Sequence, residues 1–183
     1  MADVVDKRRR ILDAARALIL RNGRRGTSME AIAAAAHIAK PTLYAYFRGK
    51  DAVFEAIVGD LIATIRADFR AALGGEGDVV GRIGAALTAK YKAVARLLAG
   101  SPHADALYGE HDGIAAPQLA AIEAEIAAAI EGELARAGVV RARPLAQLLL
   151  AASYGVGRKA LAPAELGPAI RLLAERLLRP ELP

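Results

Sequence analysis

The chain of 183 residues has no cysteine, no tryptophan and only eight aromatic side chains, five Tyr and three Phe. Without cysteine it can hold neither a disulfide framework nor a thiolate zinc site, and a cysteine nucleophile is excluded as well. No apolar run approaches the ~20 residues that a membrane-spanning helix requires. A secretory leader is not legible either: Lys7-Arg8-Arg9-Arg10 is followed by Ile11, Leu12, Asp13 and Arg16 instead of an unbroken apolar stretch, so a cytoplasmic location with nothing cleaved is expected. What the chain does have is alanine, 44 residues of it, among few β-branched side chains, and this composition predicts an all-α protein. The length suffices for one substantial core or two small ones.

The scarce aromatics and the charge are both unevenly placed. Tyr44, Tyr46, Phe47 and Phe54 fall within eleven residues. Residues 1–50 hold 11 Lys and Arg against 4 Asp and Glu, whereas residues 51–183 hold 14 against 16. A basic first segment on a nearly neutral remainder suits a polyanion, either nucleic acid or an anionic membrane surface, although an ordinary solvated helix face has the same composition.

Apolar spacing divides the chain into helices. Ile11, Leu12, Ala15, Leu18 and Ile19 predict a first helix from about Lys7 to Asn22, closed by Asn22-Gly23. Thr27 stands at capping-box distance from Glu30, with Ser28 as the alternative N-cap, and Met29, Ile32, Ala33 and Ala36 form the stripe of a short second helix. Pro41 breaks the chain and opens a third helix that runs to about Phe47, with Leu43 and Phe47 facing the core. A longer helix follows over 50–73, roughly 36 Å at ~1.5 Å per residue, ending in Gly74-Gly75-Glu76-Gly77. Beyond it, one helix is expected on Ile83, Leu87, Tyr91, Val94 and Leu98, and another on Leu119, Ile122, Ile126, Ile130 and Leu134. A third opens at Pro144 with the stripe Leu145, Leu148, Leu149, Ala152 and Val156, and a last opens at Pro163 with Leu166, Ile170, Leu173 and Leu177.

Two short helices joined by a tight turn behind a basic helix have the layout of a helix-turn-helix. The string from Thr27 to Asp51 closely resembles the N-terminal domain of the TetR family of bacterial transcriptional regulators. Its strongest part is Thr42-Leu43-Tyr44-x-Tyr46-Phe47-x-x-Lys50, supported by Ile11, Ala14, Ala15, Gly23, Thr27, Ile32 and Ala33, and the likeness covers about residues 8–55. Two positions depart from the family pattern: His37 replaces the usual turn Gly, and Ala39 a frequent Ser. The resemblance implies a helix-turn-helix domain over 1–50, a connecting helix over 50–73 and a helical effector-binding and dimerisation domain over 74–183. It makes Lys40, Pro41, Thr42, Tyr44, Tyr46 and Lys50 DNA contacts, with Thr27 or Ser28 near a phosphate. Hydroxyls and the Lys50 ammonium suit phosphate positioning, while Lys40 and Pro41 are placed to reach base edges. Arg8, Arg9, Arg10, Arg24 and Arg25 add non-specific attraction in this scheme.

The expected whole is therefore a homodimeric, ligand-responsive repressor of a palindromic operator. It is not an enzyme, it needs no cofactor or metal, it has no membrane partner, and a small apolar effector releases it. Small residues Ala151, Ala152, Ser153 and Gly155 would let the last two helices pack closely across a dimer. Phe69, Tyr91, His103, Tyr108 and Tyr154 are the candidate anchors of the effector pocket. Two rivals stand beside this scheme: a ligand-independent, nucleoid-type DNA binder, and a helical enzyme built on His103, Asp105, Glu110, His111 and Asp112.

Overall fold

In the computed structural model, residues 2–103, 113–158 and 163–183 are described. Among them are eight α-helices and no strand: α1 (Ala2–Asn22), α2 (Met29–Ala35), α3 (Lys40–Tyr46), α4 (Lys50–Leu73), α5 (Val79–Leu98), α6 (Ala116–Arg136), α7 (Ala142–Arg158) and α8 (Pro163–Leu178), with a 3-10 turn over Arg179–Glu181. The chain divides into two compact units, one of residues 1–60 and 98–118, the other of 61–97 and 119–183, so the first division falls inside α4.

In the first unit, α1 packs on α2 and α2 on α3. Ile11, Leu12, Ala15, Leu18 and Ile19 are buried as their spacing predicts, and Ile32, Ala33, Leu43, Phe47, Val53 and Phe54 of the same unit are buried with them. The first helix begins at Ala2, five residues before the expected start, because no proline or glycine interrupts the chain there. Ser28, not Thr27, is the N-cap of α2 and accepts from the Ala31 N–H at 3.1 Å.

The turn between α2 and α3 is a Schellman closure: the Ile38 N–H donates to the Ala33 carbonyl at 3.0 Å and the His37 N–H to the Ala34 carbonyl at 3.1 Å. This geometry requires a left-handed residue at 37, and His37 takes it at φ 54°, the only non-glycine with positive φ among the described residues. Arg10 adds a bond from Nη2 to the Ala36 carbonyl at 2.9 Å, so α1 clamps the open end of α2. A β-carbon in this conformation costs about 1 kcal/mol. His37→Gly should therefore stabilise the first unit by about 0.5 to 1 kcal/mol, a change in denaturant midpoint; an unchanged or lower midpoint would show that the turn stores no strain.

The second unit is built on Ile83, Leu87 and Tyr91 of α5, Ile122, Ile126, Ile130 and Leu134 of α6, Leu149 of α7 and Ile170, Ala174 and Leu178 of α8, all buried. Gly84 and Gly167 bring α5 and α8 together: a β-carbon at Gly167 would lie 3.1 Å from Thr88 Cγ2. Two expectations are corrected here. On α7 the buried positions are Ala142, Ala146, Leu149, Leu150 and Ser153, and Leu148 is 52% exposed. On α8 the stripe continues from Leu166 and Ile170 to Ala174 and Leu178, one position past Leu173 and Leu177, while Leu172 is 58% exposed. Both helices carry leucines on two faces, so spacing alone did not select the inner one. α7 also starts at Ala142, two residues before Pro144, which fits inside its first turn where no N–H is needed.

Candidate nucleic-acid interface

α3 is seven residues long and is anchored by Leu43, fully buried, and by Phe47 at its C-cap. Side chains advance about 100° per residue on a helix, so the faces turned from Leu43 and Phe47 carry Pro41, Tyr44 and Ala45, while Lys40, three residues before Leu43, opens the helix on the anchored side. These four are exposed, Tyr44 at 44%, as is Arg48 beyond the extended C-cap Phe47. Thr42 and Tyr46 are half-buried, as is Lys50 at the start of α4. Pro41 lies in the first turn, and Ala39, the N-cap, supplies no side-chain hydrogen bond. One cation, one phenol and one following cation therefore stand exposed on a rigid base.

Thr27 and Ser28 part company. Thr27 is buried and its hydroxyl donates to the Gly23 carbonyl at 2.9 Å, closing the α1–α2 loop, whereas Ser28 is exposed. Lys40 forms an ion pair with Glu30 of α2. That hydrogen bond from Lys40 holds the Glu30 carboxyl below its ordinary range, helped by the Glu30 backbone N–H, and Glu30 in turn raises Lys40.

Three of the arginines expected to add diffuse attraction, Arg8, Arg10 and Arg24, also make contacts within the fold. Arg8 lies with Cζ 5.7 Å from the centre of the Phe47 ring, and Arg10 caps α2. Arg24 donates to Asp51 at 3.0 Å and lies 5.7 Å over Phe54, tying the α1–α2 loop to the start of α4. Arg9 and Arg16 both approach Asp13, at 3.9 and 3.7 Å, and with Arg8, Leu12 and Asp60 these residues line a cleft of about 500 Å³. Arg25 is exposed. Arg48 was missed from sequence; it is exposed just past the end of α3.

Four of the five effector candidates lie among the described residues. Phe69 and Tyr91 are buried in the second unit, and Tyr154 is half-buried there with the Arg158 guanidinium 6.0 Å from its ring. His103 belongs to the first unit: its ring lies over Gly23, where a β-carbon would come within 3.3 Å of Nδ1, and its N–H donates to Ser101 Oγ at 3.2 Å. Tyr108, Asp105, Glu110, His111 and Asp112 lie outside the described residues. Among the described residues there is no group of three or more side chains able to hold a metal ion. Sequence reasoning also missed Lys90, which is 4% exposed and donates from Nζ to Glu123 Oε1 at 2.5 Å and to the Tyr91 hydroxyl at 3.3 Å. Burial pushes its pKa below the ordinary value, against the pull of Glu123.

Residues 11–57 match the family model of bacterial regulatory proteins, tetR family. The chain carries the TetR-family DNA-binding domain. Within this TetR-type domain α2 and α3 are the two helices of the helix-turn-helix. Similar solved structures extend the likeness to the whole fold. A transcriptional regulator of the TetR/AcrR family from Thermobifida fusca is 24% identical, with 92% of this chain and 96% of that one covered at a TM-score of 0.75. Salmonella enterica GusR is 26% identical over 95% and 96% at 0.71. AibR, solved in complex with isovaleryl coenzyme A and operator DNA, is 21% identical over 94% and 98% at 0.68. No curated protein sequence shows significant similarity to the chain. The fold is that of TetR-family transcriptional regulators, and among the described residues no helix is long and apolar enough to cross a membrane.

Proposed function

We propose that this TetR-type chain is a homodimeric repressor that seats two copies of α3 in successive major grooves of a palindromic operator and is released by a small effector bound in the second unit. The observation that carries the reading is the exposed surface of α3, with Pro41 and Tyr44 turned from the buried Leu43 and Phe47, Lys40 exposed at its start and Arg48 just past its end. One short helix reads only a few base pairs, so two-fold symmetry is needed to specify a site. The outward leucines of α7 and α8, Leu148 and Leu172, with exposed Pro144, Ala151, Gly155 and Pro168, support a dimer face; Ser153, fully buried, is not part of it.

An effector is supported by analogy with AibR, which was solved with both an acyl-coenzyme A and DNA. In this chain the second unit offers Phe69 and Tyr91 as largely apolar anchors, and Lys90 as one buried polar group that could fix an orientation.

Binding-site selection on random duplexes tests the proposal. Wild type should recover palindromes. Tyr44→Phe and Lys50→Ala should weaken binding to all sequences alike, whereas Lys40→Ala should also relax the preference at one base pair per half-site, a loss of about 1 to 3 kcal/mol of discrimination. Recovery of unrelated sequences by wild type would sink the reading, and equal shifts in preference for all three variants would sink the division between positioning and reading residues.

A further inference from the structure

Glu30 is the only acidic residue between Asp13 and Asp51, a span that otherwise carries only neutral and basic side chains. Its carboxylate lies on the surface of the helix-turn-helix and pairs with Lys40, the first residue of α3, the side chains being 60% and 52% exposed. The Glu30 backbone N–H and the Ser28 hydroxyl join Lys40 in holding this carboxyl below its ordinary range. One negative charge in a phosphate-facing segment opposes attraction to DNA, and this one sits on the cation best placed to reach base edges.

We infer that Glu30 is a specificity-determining positioning residue, which holds Lys40 by one N–H and offsets its charge while leaving two N–H donors for a base edge. On non-cognate DNA the Lys40–Glu30 pair presents no net charge, so little attraction to phosphates is gained. A guanine supplies both O6 and N7 in the major groove, and the two remaining donors can meet them without breaking the ion pair. Glu30 thus suppresses non-specific binding more than cognate binding. The inference rests on α3 being the reading helix and assigns a regulatory partner to its first lysine.

The experiment compares wild type, Glu30→Gln, Lys40→Met and the double variant on two duplexes, the palindrome recovered by selection and a shuffled duplex of equal length, after thermal melting has shown that all four fold. Glu30→Gln keeps the size of the side chain and removes its charge. It should tighten binding to the shuffled duplex about two- to fivefold, the worth of an exposed ion pair, with little change on the palindrome. The salt slope on the shuffled duplex should steepen by about 0.9 for each phosphate contact that Lys40 gains. In the Lys40→Met background the Glu30→Gln effect should vanish, which a merely structural role for Glu30 would not produce.

Unchanged discrimination and slope in Glu30→Gln would overturn the inference. So would the same gain with and without Lys40, since Glu30 would then act by general charge. A wild type that does not discriminate between the two duplexes would instead overturn the DNA-reading function above, and this inference with it.

Discussion

Operator affinity is expected to fall by roughly 10³ to 10⁵ between 50 and 200 mM salt, as it does for a protein that neutralises ~6 to 10 phosphates and releases their counterions. The charge arithmetic supports this: residues 1–50 carry 11 Lys and Arg against 4 acids, while the remainder is slightly acidic. Part of that positive charge is already committed inside the fold, since Arg24 is paired with Asp51 and Arg9 and Arg16 approach Asp13. The slope should therefore correspond to fewer phosphates than the number of basic residues, with Arg25, Arg48 and Lys50 among the contributors. In the proposed dimer each protomer supplies one helix-turn-helix, so charging the outward face of α7 and α8 with Leu148→Glu and Leu172→Glu should break it and roughly halve the slope. Both side chains are more than half exposed, so the folded protomer should tolerate the change. Fluorescence anisotropy across a salt series, paired with sedimentation, measures both effects. A flat salt profile contradicts the charge argument, and a full slope from a monomeric variant contradicts the two-headed mode.

Replacing Glu123 with Gln should destabilise the protein by about 3 kcal/mol near neutral pH. This is the low end of the loss seen when a buried charge is orphaned, because Glu123 itself is about a third exposed. For a chain of this size that is a fall of about 6 to 12 °C in melting temperature. The pH dependence has a definite sign. Burial lowers the native Lys90 pKa below 10.5 and Glu123 raises it back, so removing Glu123 lowers it further. Between the native value and 10.5 the unfolded chain binds more protons than the folded one, and stability rises with pH. The deficit of Glu123→Gln against wild type should therefore shrink as pH climbs through that window and Lys90 sheds its charge. Lys90→Met, which removes the buried ammonium and leaves a carboxylate that can reach solvent, should cost much less and show no such recovery. A deficit independent of pH from 7 to 10.5 would mean that Lys90 is not desolvated as its 4% exposure implies.

Much of this molecule was legible one residue at a time. Helix identity followed from alanine content and three-to-four spacing, and the breaks at Gly23, Pro41 and Gly74 are local, since they depend on the dihedral angles of single residues. Gly23 and Gly138 have positive φ, and His37 adopts the left-handed turn that its position in the resemblance required. The exposed surface of α3 was equally legible, because a seven-residue helix with two large core side chains leaves its other faces no choice.

Long-range pairing was not legible. Which of two leucine faces on α7 and α8 turns inward depends on the shape of the neighbouring helices, and Gly84 and Gly167 admit α8 against α5 in a register that periodicity does not encode. The same holds for charge: composition separates a basic segment from a neutral one, but only the tertiary fold brings Arg10 to the end of α2, Glu30 to Lys40 and Glu123 to Lys90. Hydrophobic spacing is set by the geometry of one helix and can be read along the chain, whereas a pairing between side chains 10 to 33 residues apart exists only when the packing of several helices has closed the distance.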